Sequence, residues 1–202
     1  MSTESYLHRV RPGKPGAPIL FVFHGTGGDE NQFFDFGSRL LPEATVISPR
    51  GDVSEHGAAR FFRRKAEGLY DLDDLSRATK RMAGFVAANR DKYQAGPVIG
   101  LGFSNGANIL ANVVIEQPDL FAASVLMHPL IPFHPTPRPG TSRVLITAGE
   151  RDPICPVPLT KALADYFTAQ GEDVTLDWHP GGHEIRPNEI DALKAFLQPY
   201  GA

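Results

Sequence analysis

The chain has 202 residues, a formal net charge of −3 at pH 7 and one cysteine. This length fits a single domain over residues 1–202 with a sizeable core. The slight acidic balance excludes nucleic acid and an anionic membrane surface as expected partners, and no stretch approaches the ~20 apolar residues that span a bilayer. The lone Cys155 excludes an internal disulfide, and with a polar N-terminus unlike a signal peptide it predicts a cytoplasmic protein. A homodimer is compatible with these features.

The first half of the chain alternates apolar runs with polar connections that contain glycine. These segments predict an edge strand over 6–10, a central strand over 19–24, a helix over 31–41 and a strand over 45–48. Asp29 and Gln32 have the spacing of a capping box for that helix. A long loop over 49–70 follows, and a loop of this length in a compact domain is more often functional than not. Apolar residues at helical spacing then predict an amphipathic helix over 71–93.

The second half continues the same alternation. It predicts a buried strand over 98–102 with a helix behind it, a strand over 123–127, a proline-rich loop over 128–142, a strand over 143–147, a helix over 158–170 ended by Gly171, a strand over 174–178 and a helix over 187–197. Strands that alternate with helices indicate an α/β fold, with a mostly parallel sheet of about seven strands and helices on both faces. No inserted segment is long enough for a cap domain. In such a sheet the chemistry is expected on loops beyond the carboxyl ends of the strands.

The segment Gly102-Phe103-Ser104-Asn105-Gly106 fits the G-x-S-x-G pattern between a predicted strand and a predicted helix. In this context the pattern indicates a nucleophile elbow, a sharp turn that exposes the serine hydroxyl above the sheet. The turn leaves no room for bulk two residues to either side, which is where Gly102 and Gly106 lie. The following helix directs backbone N–H groups and its positive dipole end toward an oxyanion formed there. The alternative is a glycine-rich turn that contains a serine incidentally, and the residues described next argue against it.

A serine nucleophile requires a base, and the base requires an acid that orients it. In an elbow-type fold these residues follow the serine in the order acid, then histidine, each beyond a strand. His183 is the favoured base because two glycines before it allow its loop to return over the sheet, whereas His179 abuts the strand and is interpreted as a loop histidine. Asp152 is the favoured acid because the Asp-Pro turn fixes its carboxylate, and Glu150 is expected to be a solvated neighbour. The sequence therefore predicts a triad of Ser104, Asp152 and His183.

Two backbone N–H groups are expected to stabilise the oxyanion. One belongs to Asn105, directly after the serine, and the other to Thr26 in the glycine-rich segment 24–28. That segment could instead bind phosphate, but it lacks the Lys-Ser/Thr pair of a Walker motif. His24 is interpreted as a structural hydrogen-bonding residue, and Cys155 as a small buried side chain.

Four ordered motifs of this chain resemble those of the phospholipase/carboxylesterase family of α/β-hydrolases. They are His24-Gly25-x-Gly27-Gly28, the elbow around Ser104, Gly149-x-x-Asp152-Pro153 and Gly182-His183, and the resemblance runs from about residue 18 to residue 197. It implies the α/β-hydrolase fold and the same triad. The related acyl-protein thioesterases carry Gln-Gly-Gly after the serine, where this chain has Asn105-Gly106-Ala107, and their Ser-Trp-Phe-Asp loop segment has no match in residues 60–65. The chain therefore looks more similar to the small bacterial carboxylesterases.

The combined interpretation is a cofactor-free serine esterase that cleaves small or short-chain carboxylic esters through an acyl-enzyme on Ser104. A thioesterase, a lysophospholipase or a lactone hydrolase would use the same triad. A different class is a hydrolase-fold binding protein in which the triad captures a ligand or has become silent. No metal is expected, because no histidine cluster has zinc-ligand spacing in the sequence. The expected partner is a small-molecule ester.

Without a cap domain, the substrate pocket must be formed by the loops themselves. Its candidate residues are Phe61, Phe62, Arg63, Met127, Leu130 and Ile154. They suggest a shallow cleft and short acyl chains. The two phenylalanines are surrounded by basic residues, namely Arg60, Arg63, Arg64 and Lys65. These either form a solvated basic loop, or at least one arginine faces the cleft and binds a carboxylate of the substrate.

Overall fold

A seven-stranded sheet runs through the centre of the protein, whose computed structural model describes residues 2–94 and 96–201. In chain order the strands are β1 (His8–Arg11), β2 (Ile19–Phe23), β3 (Thr45–Pro49), β4 (Val53–Glu55), β5 (Ala58–Arg60), β6 (Arg64–Ala66), β7 (Leu69–Tyr70), β8 (Val98–Phe103), β9 (Ala123–Met127), β10 (Arg143–Gly149) and β11 (Asp173–His179). Two pairs of these strands, β4 with β5 and β6 with β7, form separate antiparallel hairpins. The other strands form the sheet.

The order of strands in the sheet is β1-β3-β2-β8-β9-β10-β11. Strand β1 pairs antiparallel with β3 at one edge, and all other neighbours are parallel. Every residue of β2, β3 and β9 is buried, because helices cover both faces and a sheet of this kind has no solvated side. The predicted mostly parallel sheet is therefore confirmed, and the short first strand lies at its edge.

Helices cover both faces of this sheet. In chain order they are α1 (Phe34–Leu40), α2 (Leu72–Lys92), α3 (Asn105–Glu116), α4 (Val157–Gln170) and α5 (Pro187–Leu197), followed by a 3-10 turn over Gln198–Tyr200. On one face α2, α3 and α4 bury large apolar side chains such as Phe85, Leu110 and Phe167. On the other face α1 and α5 bury Phe34 and Leu193. Each such side chain contributes roughly 1.5–3 kcal/mol when it leaves water, so these two apolar layers hold the helices to the sheet.

Helix α1 begins at Phe34, later than the sequence predicts, and the expected capping box does not form. Asp29 Oδ1 accepts a hydrogen bond from the Asn31 N–H at 2.8 Å, outside the helix. Gln32 Oε1 instead accepts from the Gly25 N–H at 2.9 Å, and so it holds the glycine-rich loop after β2. The spacing suits both residues to a cap, but N–H groups of neighbouring loops compete for the same side-chain oxygens.

The predicted long loop between β3 and α2 consists of two small hairpins. The first hairpin ends at Arg60, and the second ends at Tyr70 beside the N-cap of α2, where the Asp71 side chain accepts from the Asp74 N–H. Together the hairpins form one wall of a cleft above the sheet, and the described residues contain no separate cap domain. Within the described ranges, no helix has both the length and the apolar character needed to cross a bilayer.

Candidate active site

Ser104 lies in the sharp turn between β8 and α3. Its backbone has φ 53° and ψ −118°, a positive-φ conformation that a non-glycine residue adopts only under strain. The flanking glycines make room for this turn. A Cβ at Gly106 would lie 2.3 Å from the Phe23 carbonyl oxygen, and one at Gly102 would lie 2.5 Å from the Gly106 carbonyl oxygen. A larger residue at either position must therefore displace backbone.

Loops beyond the carboxyl ends of three strands bring Ser104, His183 and Asp152 together. His183 Nε2 lies 2.9 Å from Ser104 Oγ, and His183 Nδ1 lies 2.7 Å from Asp152 Oδ2. When Nδ1–H donates to the carboxylate, Nε2 is free to accept the serine proton. The Asp152 side chain is fully buried, whereas the His183 side chain is 18% exposed. The arrangement is chemically able to deprotonate a serine hydroxyl at the floor of a cleft.

Two backbone N–H groups hold the Asp152 carboxylate in its turn. Oδ1 accepts from Ile154 at 2.8 Å and from Cys155 at 3.0 Å. Burial disfavours the charged form of Asp152, but the Cys155 N–H and the His128 and His183 rings outweigh that effect, so the pKa lies below its usual value. Asp152 is therefore a carboxylate at neutral pH.

Thr26 and Asn105, whose backbone N–H groups are the expected oxyanion donors, line the same cleft as Ser104. Among the backbone hydrogen bonds of loops, turns and helix caps in the described ranges, neither N–H donates to a carbonyl oxygen. The Asn105 side chain is buried, and its Oδ1 accepts from the Phe61 N–H at 2.8 Å. The role of both N–H groups as oxyanion donors stays a prediction.

The end of β5 holds the loop that carries Thr26. The Gly27 N–H donates to the Ala59 carbonyl oxygen at 3.0 Å, and Arg60 Nη1 donates to Thr26 Oγ1 at 2.6 Å. Arg60 is itself buried, and its Nε lies 3.3 Å from a Glu55 oxygen. The first hairpin thus fixes the glycine-rich loop through one backbone and one side-chain hydrogen bond.

Two further residues near the site have structural contacts. His24 is buried, with Nε2 accepting from the Gly51 N–H at 2.9 Å and Nδ1 lying 2.7 Å from the Gly25 carbonyl oxygen. Burial lowers the pKa of His24, which keeps the ring neutral. Cys155 is also buried, its Sγ lies 3.2 Å from the His128 carbonyl oxygen, and burial raises the pKa of its thiol. Both ring nitrogens of His24 are engaged and the Cys155 thiol stays protonated, so neither residue is available as a base or a thiolate nucleophile.

The cleft above Ser104 has a volume of about 230 Å³ and a mixed polar and apolar lining. Two of the predicted pocket residues, Leu130 and Ile154, line it. Tyr70 closes one side, and its hydroxyl donates to the Leu130 carbonyl oxygen and accepts from Asn108 Nδ2, each at 2.8 Å. This volume is below the ~300–1,000 Å³ typical of ligand pockets, which favours a small substrate.

The other predicted pocket residues lie elsewhere. Phe61 and Phe62 are fully buried in the apolar layer on the α2–α3–α4 face, and Met127 is buried in the layer on the opposite face. The Arg63 side chain is 65% exposed and pairs with Asp74 at 3.2 Å. The expectation that these four residues line the cleft is therefore corrected. Phe61, Phe62 and Arg63 lie in a segment without a hydrophobic period from which the direction of a side chain can be derived. Met127 is the last residue of β9, a strand in which every residue is buried.

Arg60 and Arg64 are the basic residues of this segment that do line the cleft. Both are already paired with acids. Arg60 Nε lies 3.3 Å from Glu55, and Arg64 lies 2.8 Å from Glu55 and also pairs with Glu67. Two carboxylates thus balance two guanidinium groups. The structure favours a charge-balanced wall over an arginine that is free to bind a substrate carboxylate.

Sequence reasoning missed a buried polar group behind the triad, formed by His128, His179 and Glu189. His179, interpreted as a loop residue, is the last residue of β11 and is buried. Their positions in the chain could have indicated a role at the site, because His128 and His179 both lie at the carboxyl ends of strands, where the functional side chains of a parallel sheet collect. Side-chain nitrogen and oxygen atoms of the three residues lie within 4.8 Å of one another, and no local spacing in the sequence reveals this proximity.

Parallel strands with a serine elbow in the middle of the sheet, and with an acid and a histidine on later loops, are the layout of the α/β-hydrolases, and this protein has that fold. Comparison with protein families agrees. The family model described as Phospholipase/Carboxylesterase matches residues 6–200, so the chain belongs to that family.

Individual relatives match along most of the chain. The Bacillus subtilis (strain 168) protein MhqD is 34% identical over 184 residues, which cover 89% of this chain and 92% of the relative. Among solved structures, the protein Atu2452 of unknown function from Agrobacterium tumefaciens str. C58 is 69% identical, with a TM-score of 0.97 over 100% of both chains. The Bacillus cereus carboxylesterase is 32% identical, with a TM-score of 0.91 over 96% of this chain and 94% of that chain. These similarities support an ester hydrolase.

Proposed function

We propose that this protein is a serine carboxylesterase that hydrolyses small carboxylic esters through an acyl-enzyme on Ser104. The observation that carries the proposal is the chain of hydrogen bonds from Ser104 Oγ through the His183 ring to Asp152, at 2.9 and 2.7 Å. A serine hydroxyl alone is a weak nucleophile near neutral pH, and such a chain supplies both a base and the group that orients the base. Membership of the phospholipase/carboxylesterase family supports the same activity.

In the proposed mechanism, His183 Nε2 takes the serine proton as Ser104 Oγ attacks the ester carbonyl carbon. The carbonyl oxygen becomes an oxyanion that the N–H groups of Thr26 and Asn105 stabilise. His183 then returns the proton to the leaving alcohol, and the acyl group stays on the serine. Water, deprotonated by the same histidine, attacks this acyl group, and the histidine returns that proton to Ser104 Oγ as the acid leaves. Asp152 keeps Nδ1 protonated throughout and offsets the positive charge that forms on the ring.

The size of the cleft supports short acyl chains and small alcohols. Leu130 and Ile154 offer a limited apolar surface, and Arg64 and Glu67 make the adjoining wall polar. A long acyl chain, such as that of a lysophospholipid, would extend beyond the ~230 Å³ of the cleft into water. Thioesters and lactones of similar size would undergo the same steps. The cytoplasmic location stays part of the proposal and rests on the single free, buried Cys155.

Active-site labelling tests the mechanism. Wild-type protein and Ser104→Ala are treated with a fluorophosphonate, and mass spectrometry locates the modified residue. We expect one adduct on Ser104 in the wild type, none in the variant, and a loss in kcat on the order of 10⁶ for the variant. Ser76→Ala, which changes an exposed serine on α2, is the matched control and should be labelled and active like the wild type. A folded wild-type protein that forms no adduct and hydrolyses no ester would instead indicate a silent binding protein.

A panel of esters with increasing acyl length tests the substrate class. We expect kcat/KM to be highest for acyl chains of about two to six carbons, because longer chains leave the cleft. Thioesters of the same chain lengths, measured in parallel, separate esterase from thioesterase preference. A maximum at about twelve carbons or more would contradict the proposed substrate size.

A further inference from the structure

His128 lies at the centre of a buried hydrogen-bonded chain behind the triad. It directly follows β9, its backbone has a φ of 51°, and its side chain is fully buried. Its Nδ1 lies 2.9 Å from Asp152 Oδ2, and its Nε2 lies 3.1 Å from Glu189 Oε1. The same Asp152 oxygen lies 2.7 Å from His183 Nδ1. One carboxylate oxygen thus serves two imidazole rings, and one of these rings is outside the triad.

Glu189, the second acid in this chain, is held on both of its oxygens. Oε1 accepts from Thr147 Oγ1 at 2.6 Å, while Oε2 accepts from the Arg186 N–H at 2.6 Å and lies 3.2 Å from His179 Nε2. His179 Nδ1 accepts from the Gly181 N–H at 3.0 Å, so His179 is neutral and donates to Glu189 through Nε2. Burial disfavours a charge on Glu189, but its hydrogen bonds outweigh that effect and its pKa lies below the usual value.

We propose that His128 is a stable imidazolium that positions Asp152 and sets the lower pH limit of the reaction; the second part rests on the proposed esterase function. Both ring nitrogens of His128 face carboxylate oxygens, so both must donate, and a ring that donates from both nitrogens is positively charged. Either neutral tautomer would direct a lone pair at a buried carboxylate. Burial opposes the charge, but the hydrogen bonds to Glu189 and Asp152 outweigh it and raise the pKa of His128.

The positive charge of His128 acts on the triad through their shared acid. The ring centres of His128 and His183 are 5.2 Å apart, and both rings contact Asp152 Oδ2. At this separation a positive charge on His128 opposes a second positive charge on His183. The pH dependence of the reaction should therefore respond to the charge on His128.

The groups that face His128 come from every element packed against it. They are Asp152 after β10, Glu189 on α5, the neutral His179 at the end of β11, His183 on the loop after β11, and the uncharged Phe103 ring at the end of β8. The Cys155 thiol, 3.2 Å from the His128 carbonyl oxygen, is kept protonated by its burial. Two carboxylates therefore face the ring, and no lysine or arginine does so among the described residues. The local charge balance favours the imidazolium.

A metal ion is the competing occupant of the position between His128, His179 and Glu189. The two Nε2 atoms lie 3.4 Å apart, and each lies close to a different oxygen of the same glutamate. Two N–H groups side by side on one carboxylate account for this geometry. The Thr147 hydroxyl and the Arg186 N–H each donate to one of the two Glu189 oxygens. This arrangement suits a carboxylate that accepts hydrogen bonds better than one that binds a metal ion.

Nitrogen-15 NMR of the histidine side chains tests the charge of His128 without reference to activity. The His128→Asn variant assigns the ring signals by their disappearance. We expect both ring nitrogens of His128 to carry protons in the wild-type protein at about pH 7, which is above the ordinary histidine pKa of ~6.5. A single protonated nitrogen at that pH overturns the proposal. So does the absence of both ring protons in protein that elemental analysis shows to contain one metal ion per chain.

Two variants of nearly the same shape test the effect on the reaction. His128→Asn places an amide near the Nδ1 position and keeps a hydrogen bond to Asp152, while His128→Gln reaches the Nε2 position and keeps one to Glu189. Neither carries a charge, and Asn also tolerates positive φ. For both variants we expect the acid limb of kcat/KM to move ~1–2 pH units higher. At pH 8 the kcat of His128→Asn should stay within about tenfold of wild type, since the hydrogen bond to Asp152 remains.

His179→Asn is the matched control, because it keeps an acceptor for the Gly181 N–H and does not touch Asp152. Its acid limb should coincide with that of the wild type. If the acid limbs of both His128 variants also coincide with the wild type, the inference fails while the esterase function stands. If the wild type hydrolyses no ester and forms no fluorophosphonate adduct, the proposed function fails, and the NMR measurement still decides the charge of His128.

Discussion

Replacing Arg60 with Gln tests whether the first hairpin holds the oxyanion loop. The Arg60 side chain is 3% exposed, and its Nε lies 3.3 Å from a Glu55 oxygen. Its Nη1 donates to Thr26 Oγ1 at 2.6 Å, and its Nε also donates to the Phe62 carbonyl oxygen at 3.3 Å. A glutamine side chain is shorter and uncharged, so Arg60→Gln removes the ion pair and the contact with Thr26 together.

Two known costs bracket the loss of stability in Arg60→Gln. Removing one partner of a buried ion pair costs about 3–5 kcal/mol when the other charge is left without a partner. Glu55 is 30% exposed and keeps Arg64 at 2.8 Å, so it is not left alone. The loss is then that of hydrogen bonds to a charged group, ~1.5–3 kcal/mol. We expect the free energy of unfolding to fall by about 2 kcal/mol.

The catalytic effect of Arg60→Gln should appear in kcat, because in the proposed mechanism the Thr26 N–H acts only once the oxyanion forms. Deleting an oxyanion donor outright costs ~10²–10³ in kcat. In this variant the donor remains, and its loop keeps the Gly27–Ala59 hydrogen bond at 3.0 Å. We therefore expect a smaller loss of about tenfold in kcat, with little change in KM.

Urea unfolding followed by circular dichroism measures the free energy of unfolding of each variant, and hydrolysis of a neutral short-chain ester gives kcat and KM. Arg63→Gln is the matched control, because Arg63 is 65% exposed and its partner Asp74 keeps Arg77 at 2.7 Å. The control should stay within about 0.5 kcal/mol of wild-type stability. A wild-type kcat for Arg60→Gln would refute the role of the hairpin, and a change confined to KM would assign Arg60 to substrate binding instead.

The remaining predictions concern the base, the elbow and the buried acid–histidine chain. His183→Ala should abolish turnover, whereas His179→Ala should keep most of it, and the reverse ranking of the two kcat values would identify His179 as the base. Gly106→Ala should lower both Tm and activity, because its Cβ would lie 2.3 Å from a backbone oxygen, and an unchanged Tm would contradict this packing. The raised pKa of His128 adds stability that is fully present below its ordinary value of 6.5 and is lost as pH rises through the folded-state value. The lowered pKa of Glu189 adds stability that is present above its ordinary value of 4.5 and is lost as pH falls through the folded-state value. The free energy of unfolding of wild type relative to His128→Asn should therefore be largest between about pH 4.5 and 6.5, and a difference that grows toward pH 9 would contradict this assignment.

The order of residues along the chain was enough to predict which side chains meet at the sheet edge. Ser104 follows β8, Asp152 follows β10 and His183 follows β11, and these parallel strands all end at one edge of the sheet. Once an alternation of strands and helices implies parallel strands, their carboxyl ends converge without any further information. The glycines around Ser104 add a purely local constraint, because only small residues fit two positions to either side of the turn.

The walls of the cleft could not be predicted in the same way. Phe61 and Phe62 pack into the core, while Arg60 and Arg64 on either side of them line the cleft. The direction of these side chains depends on the Phe61 N–H, which donates to the Asn105 side chain on α3. In a segment without helical or strand periodicity, such a distant contact decides which residues face the site, and hydrophobicity alone favours the wrong ones.

His128 was predictable in its position but not in its contacts. Its position after β9 could be predicted, because it lies at the carboxyl end of a parallel strand like the residues of the proposed triad. Its charge could not, because that depends on Asp152, 24 positions away, and on Glu189 in the last helix. A buried histidine without acids would be neutral, and either acid without the histidine would be a buried charge lacking its partner. The three side chains are therefore compatible with the fold only as a set. Because Asp152 belongs both to this set and to the proposed triad, we expect the pH at which the set loses or gains a proton to affect the pH at which Ser104 can be activated.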